Sequence, residues 1–350
     1  MGCKLRQKDT PRAEKASQTI SLIEGAQIYA QLKKTVESEG ILDRSYGYYA
    51  AMAIFAFGGF LLTLYFIYIT SSLFLLLVLG FIFSFFAVQV GGFMHDAGHR
   101  AIFKSTKFND LVGYISGLFL VESVEWWMKT HNMHHANTNE EGEDPDLEIP
   151  LVSFTRSKFL KEKGVAGVIK KYQAWTYYPL RALVSLTRKS GSFIYYIQNF
   201  KLSNSWKVFG LIVGLIIWYV LPFVLFDAAK TAVVLLSINI PLGLYISNIF
   251  APNHKGMPEI KKGHKLSFLE QQIITSRNVK GGFWTEFFFI GLNYQIEHHL
   301  FTNCPRNKLK LITPHVKKLC GELNLEFTEV GTIETNKIII EELNKVALSA

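Results

Sequence analysis

A chain of 350 residues with 49% apolar and 14% aromatic content is too apolar for an ordinary soluble domain, while 19% charged residues are too many for membrane spans alone. One membrane-embedded unit with a substantial aqueous portion satisfies both. Given the apolar runs, the formal charge of +9 points to an anionic lipid surface or an acidic partner rather than nucleic acid. Cys3, Cys304 and Cys320 have neither the number nor the spacing of a disulfide framework or a cysteine zinc site.

Met1 to Arg44 is charged throughout and carries no apolar signal region. Gly2 follows Met1, but Arg6 stands where a myristoylation pattern needs Ser or Thr, and Cys3 reads as an ordinary thiol. Ala16 to Glu39 reads as a polar or amphipathic helix, with Ile20, Ile23, Ile28 and Leu32 as its apolar positions. It is expected at the membrane surface, a solvated lead-in being the other reading.

From Ser45 to Met94 there is no Asp, Glu, Lys or Arg. As one helix this run would be about 75 Å long, against a hydrocarbon core of roughly 30 Å. It must therefore fold back, with Thr70, Ser71 and Ser72 as the turn, giving spans at about 47–69 and 73–94. A second uncharged pair, Val208 to Phe226 and Thr231 to Asn253, gives spans at about 208–226 and 231–252, with Pro222 and Pro241 tolerable as kinks.

Two hairpins put both termini, the segment from His95 to Trp206 and the segment after Asn253 on one side. Lys4, Arg6, Lys8, Arg12, Lys15, Lys33, Lys34 and Arg44 precede the first span, and Arg188, Lys189, Lys201 and Lys207 the third. The opposite turns carry only Lys230, so the larger side is cytoplasmic by the positive-inside rule.

Leu111 to Trp127, Ala166 to Leu186 and Phe283 to Leu292 are apolar but too short or interrupted to span, and read as interfacial or partly inserted helices. Trp126, Trp127, Trp284 and Tyr294 suit the bilayer boundary. A charged helix at about Lys308 to Leu323 and an EEL-containing tail complete the chain. The expected architecture is an all-α integral membrane protein, four transmembrane helices in two hairpins under a cytosolic helical cap. It divides into a polar segment 1–44, a membrane unit 45–325 and a tail 326–350.

Histidines cluster three times, in HDAGH (His95, His99), HNMHH (His131, His134, His135) and QIEHH (His298, His299). His95 and His99 share a helix face about 6 Å apart by the i,i+4 rule. His131 and His135 likewise lie near one line, whereas His134 is rotated to the other side, so adjacent histidines need not serve the same ion. Doubled histidines therefore suggest two metals side by side. All three clusters, and His254 after the fourth span, fall at one membrane face.

Imidazole suits iron, copper and zinc alike, but eight histidines exceed what one tetrahedral zinc takes. Asp96, Asp144, Asp146 and Glu297 read as carboxylates that orient imidazoles, or as ordinary capping and solvated groups. Gly91, Gly92 and Gly98 allow close approach of helices or substrate. His264 and His315 lie outside the clusters and read as surface residues.

HDAGH, HNMHH and QIEHH resemble, in order, the three histidine boxes of the membrane fatty acid desaturases, and the likeness runs from about Tyr46 to Leu325. Gln295 in the third box resembles the front-end subgroup, delta-5, delta-6 or linoleoyl-CoA desaturase-like, which places a double bond toward the carboxyl end. The resemblance implies a cis double bond introduced with O2 and two electrons at a non-haem centre of two iron ions. Its ligands would be His95, His99, His131, His134, His135, His298 and His299, completed by His254. Asn248 or Asn253 would hold a ligand through water, and Gln295 would ligate by its amide, by water, or orient substrate.

The resemblance also implies a long-chain acyl substrate on CoA, phospholipid or acyl carrier protein, held in a tunnel formed by the short helices and the inner ends of the spans. It implies a bacterial inner membrane or the endoplasmic reticulum. No HPGG haem motif is present, so electrons are expected from a separate donor such as cytochrome b5, a ferredoxin or a reductase. Arg100, Lys104, Lys107, Lys261, Lys262, Lys265, Arg306, Lys308 and Lys310 would attract that donor or the carrier's phosphates, lipid headgroup contact being the other reading. The alternatives are a hydroxylase or sphingolipid enzyme of the same superfamily, a zinc-dependent membrane hydrolase and a non-catalytic metal carrier.

Overall fold

The computed structural model describes residues 20–149, 151–161 and 164–348; Gly2, Cys3 and the basic residues from Lys4 to Lys15 lie outside them. The described chain is almost entirely helical. In order come α1 (Leu22–Ser38), α2 (Tyr46–Ile69), α3 (Leu73–Gly98), α4 (Thr106–Leu120), α5 (Val124–Ala136) and α6 (Arg156–Lys161). They are followed by α7 (Gly164–Lys171), α8 (Gln173–Arg181), α9 (Val184–Gln198), α10 (Ser205–Leu215), α11 (Leu221–Leu225) and α12 (Ala228–His254). The last are α13 (Phe268–Ile274), α14 (Phe283–Phe288), α15 (Gln295–Leu300), α16 (Leu309–Glu322) and α17 (Thr332–Leu348). The expected all-α architecture holds, with two minor strands among the described residues: β1 (Asn278–Lys280) and β2 (Glu329–Gly331) pair in parallel. They are short enough to leave no alternating pattern that periodicity can detect.

Four helices are long and apolar enough to cross a membrane: Tyr46–Ile69, Leu73–Gly98, Leu202–Leu225 and Ala228–His254. The turn falls at residues 70–72, where the Ser72 hydroxyl caps α3 by accepting from the Leu75 N–H at 3.3 Å. Asp227 caps α12 in the same way at Lys230, 2.8 Å. In the third span a π-turn, Ile216–Val220, precedes Pro222, whose missing N–H and bulky ring disturb the regular ladder. Ile54, Phe74, Phe81 and Val224 are exposed, an apolar belt that needs lipid around it, while Phe60, Phe83 and Trp218 interlock inside.

Two span ends run further than the sequence pattern suggests. α3 continues a turn past Met94, so His95 is helical and His99 is its C-cap residue. α12 continues through Pro252, so His254 is its last residue and not a residue beyond the span. In both cases polar residues enter the final turn because their partners come from the cap above.

α4 and α5 form a hairpin that dips beside α3. The helix breaks at Val121, left-handed at φ 57°, and the Glu122 N–H returns to the Gly117 carbonyl at 2.9 Å. A Cβ on Gly117 would come within 2.6 Å of the Glu122 carbonyl, so only glycine closes this turn. At its tip Glu122 takes a bidentate pair from Arg188 of α9, with contacts of 2.6 to 3.1 Å.

α1 does not lie alone at a membrane surface, nor is it a solvated lead-in. Leu32 and Val36 are buried against α13, α15 and α16, and the Tyr29 hydroxyl donates to the Leu300 carbonyl at 2.6 Å. Ile23, read as part of its apolar face, is exposed. The partner surface set the buried face, not the strongest apolar period.

The end of α8 packs on α12, with Gly243 directly under the backbone of Arg181 and Ala182. Gly243→Ala is expected to destabilise the protein by about 1–3 kcal/mol, read as a lower Tm in detergent; an unchanged Tm would show that this contact has slack.

Candidate metal centre

The cap brings all three sequence clusters and His254 together. α3 supplies His95 and His99, α5 supplies His131, His134 and His135, α12 supplies His254, and α15 supplies His298 and His299. α5 is started by Ser123, whose hydroxyl accepts from the Trp126 N–H at 3.1 Å. Gly98 lets the Trp127 ring lie directly on α3, which draws α5 close enough for His95 and His131 ring centres to approach within 5.2 Å.

The imidazoles form two groups. In one, a nitrogen from each of His95, His99, His131 and His298 lies within 4.8 Å of all the others, and the same holds for His134, His254 and His299. His134 and His131 of α5 thus fall in different groups, as do the adjacent His298 and His299 of α15. His135 stands between them, its Nε2 3.1 Å from His131 Nε2 and its ring centre 4.2 Å from that of His299.

The donor chemistry fits metal ions. Buried nitrogens without a hydrogen-bond partner are His95 Nε2, His99 Nε2, His135 Nδ1, His298 Nε2 and His299 Nε2. An unsatisfied buried polar atom costs about 1–3 kcal/mol, so five in one site approach the whole stability of a domain, roughly 5–15 kcal/mol. A cation that accepts those lone pairs removes the penalty.

The opposite ring nitrogens are held by neighbours, as metal-ligating histidines require. His95 Nδ1 meets Asp96 at 3.0 Å, His134 Nδ1 meets Asp144 at 3.0 Å, His299 Nδ1 meets Gln272 Oε1 at 2.7 Å, and His254 Nδ1 meets the Thr275 carbonyl at 3.2 Å.

The other candidates separate. Asp96 and Asp144 touch imidazoles; Asp146 is 3.7 Å from His134 and half exposed. Glu297, by contrast, binds Asn278 at 2.7 Å. It is helically rotated by about 100° from His298 and turns to the far side of α15, where burial pushes its carboxyl upward. Asn248 bonds back to Leu244 within its own helix, whereas Asn253 donates to Gln295 Oε1 at 2.9 Å and Gln295 Nε2 lies 2.9 Å from His254 Nε2. Gln295 therefore stands at the edge of the second group.

Gln272, Thr138, Tyr49 and Arg306 escaped sequence reading because they come from separate segments with no shared spacing. A reading of Arg306 as a surface charge is corrected: it is 6% exposed and bonds Asp96. Of the other basic residues, Arg100 pairs with Asp110, Lys262 with Glu143 and Lys310 with Glu286, while Lys104, Lys107, Lys261 and Lys265 are exposed.

Below His95 a largely apolar cavity runs between α3, α5, α9 and α12, past Met94, Gly91 and Trp127. At Ala87, Leu120, Lys189 and Leu242 it meets a second space lined by Phe60, Phe83 and Trp218. Along α3, Ala87 is eight residues from His95, about 12 Å at 1.5 Å per residue.

Burial first, then neighbouring imidazoles, hold His131, His135, His298 and His299 well below the ordinary value of 6.5. Burial also opposes charge on His134, but Asp144 and Asp146 carry it above 6.5. Four lowered groups against one raised group mean that the unfolded chain binds more protons. The metal-free protein should therefore lose stability as pH falls through about 6.5; a Tm flat or rising from about pH 8 to pH 5 would contradict the burial of neutral imidazoles.

The family model for fatty acid desaturases matches residues 70–331. The chain is 26% identical to the acyl-lipid (9-3)-desaturase of Borago officinalis, over 94% of this chain and 77% of that protein. It is 26% identical to the delta(5) fatty acid desaturase fat-4 of Caenorhabditis elegans, over 85% and 69%, and 27% identical to the delta 8-(E)-sphingolipid desaturase of Emericella nidulans, over 91% and 62%. Of some curated relatives it spans about half the length, 51% in one from Physcomitrium patens. With a family model over most of the chain, four membrane-length helices and two histidine groups at their ends, the chain belongs to the fatty acid desaturase family, a family of membrane oxidoreductases.

Proposed function

We propose that this protein introduces a cis double bond into a long-chain acyl substrate, consuming O2, two electrons and two protons and releasing two waters. The observation that carries this reading is the pair of adjacent histidine groups, with partnerless buried nitrogens, at the head of an apolar cavity. His95, His99, His131 and His298 would hold one iron and His134, His254 and His299 the other, with His135 between them. Two irons so held supply, with O2, the oxidising power that side chains lack toward an unactivated C–H bond.

The protein's own residues do the rest. Asp96 and Asp144 fix ring orientation and tautomer. Met94, Trp127 and the walls of α3 and α12 exclude water and hold the chain in register, since a shift of one methylene presents a different carbon. Gln295, held by Asn253, can turn either amide atom toward the second group. Front-end regiochemistry rests on Gln295 and on the delta-5 and delta-8 positions in the relatives' names. The basic residues before the first and third spans support a cytoplasmic metal site and termini. The exposed lysines Lys104, Lys107, Lys261 and Lys265 support docking of an acidic electron donor.

The sphingolipid desaturase among the relatives favours one second reading, a long-chain base as substrate. Expression in a host lacking polyunsaturated lipids, fed defined acyl chains, decides both. A product lighter by two hydrogens, its double bond mapped to one position, is expected in acyl lipid. A product heavier by one oxygen would make the protein a hydroxylase, and unsaturation confined to long-chain bases would favour the second reading.

His135→Ala is expected to reduce desaturation below detection while the protein still fractionates with the membrane. Retained turnover would remove the second histidine cluster from the metal centre.

A further inference from the structure

The two histidine groups have different surroundings beyond the imidazoles. Asp96 Oδ2 accepts from Arg306 Nε at 2.6 Å and from the Tyr49 hydroxyl at 2.6 Å, while its Oδ1 faces His95 Nδ1 at 3.0 Å. Arg306, Asp96, Tyr49 and His95 are each 6% exposed or less. The Arg306 backbone N–H reaches the same Tyr49 hydroxyl at 3.4 Å, and its guanidinium carbon lies 5.7 Å from the Phe93 ring centre and 6.0 Å from that of Tyr49. Gly92 leaves the space the guanidinium fills; a Cβ there would overlap it. Three segments of the chain, in α2, α3 and the turn after α15, are thereby tied to one imidazole.

Among the described residues, the matching carboxylate of the other group takes no hydrogen bond from a cation, although Lys255 acts on it through space. Asp144 faces His134 Nδ1 and takes the backbone N–H groups of Asn139 and Asp146, each at 2.8 Å. Lys255 Nζ goes to the Asp146 carbonyl at 2.7 Å, not to the Asp144 carboxylate. His299 faces a neutral amide. A carboxylate on an imidazole N–H raises the basicity of the metal-facing nitrogen. A bidding guanidinium on the same carboxylate withdraws part of that effect, because a charge-assisted bond polarises it the other way.

We infer that Arg306 is a positioning residue that acts through Asp96 on His95 and makes the His95–His99–His131–His298 position the electron-poorer of two inequivalent iron positions. The inference rests on the diiron reading of the site. The first position then binds iron less tightly than the second and is reduced at the higher potential. Tyr49 shares the role, since its hydroxyl competes for the same Asp96 oxygen.

The test uses full-length protein in nanodiscs, loaded anaerobically with isotopically enriched ferrous iron and read by iron titration and Mössbauer spectroscopy. Wild type should show two unequal quadrupole doublets. Arg306→Lys keeps a cation but loses the planar fork, and Tyr49→Phe removes one donor. Each should move one doublet and leave the other unchanged, and change iron affinity at one position only. Asp144→Asn should move the other doublet. Changes to the groups that hold a ligating imidazole typically alter metal affinity about 10–100-fold, and Arg306→Gln should lie at the large end. Should that variant fail to fold, Arg306→Lys and Tyr49→Phe still decide the matter. Wild type with two irons whose doublets and affinities ignore both variants would overturn this inference alone. Wild type that takes up fewer than two irons would overturn the diiron reading, and this inference with it.

Discussion

Everything in this protein is arranged around the cost of burying imidazole nitrogens with nothing to bond. His298 and His299 are 2% and 1% exposed, and their Nε2 atoms face other imidazoles instead of donors. Rings so placed must be neutral, because burial and neighbouring rings both oppose protonation. They must also be clamped from outside, because within the cluster ring nitrogens meet little but one another, as His135 Nε2 meets His131 Nε2. Asp96, Asp144, Gln272 and the Thr275 carbonyl provide that clamp, each bonding the ring nitrogen that points away from the cluster. The helices serve the same end: α3 and α12 extend a turn into the cap, α5 is drawn onto Gly98, and α1 and α16 close over α15.

The same placement gives the cavity its chemistry. Its head is formed by His95 and Trp127 and its lower space by Phe60, Phe83, Trp218, Tyr219 and Asn239, so its wall is largely free of charge. The exceptions are Lys189 and the Glu122–Arg188 pair on the wall. Charges at membrane depth are tolerated where they pair or line a cavity, and the α4–α5 hairpin delivers Glu122 to its partner.

Much of this was legible in the sequence. Charge-free runs bounded by serines and Asp227 gave the spans within a few residues, since hydropathy over a span-length window is a strong signal. The 100° rotation per residue placed His131 and His134 on different faces of α5, and the structure puts them in different groups. What could not be read depends on tertiary partners. Glu297 looks like a carboxylate beside histidines but faces Asn278, because a one-residue step turns it away. Arg306 looks like a surface cation in a basic stretch but is buried, because Gly92, more than two hundred positions earlier, leaves it room. The face of α1 was legible only in part for the same reason: Ile28 and Leu32 pack as their spacing suggests, but Tyr29 and Val36 join them against α13, α15 and α16 while Ile23 is exposed, which no local pattern encodes.

Two metal positions built from eight histidines form the central claim, and iron stoichiometry measured on the same sample as turnover tests it most directly. Full desaturase activity should coincide with two irons per chain, and removing iron by chelation should abolish turnover until iron is restored. Full activity with fewer than two irons, or with zinc alone, would contradict a diiron centre.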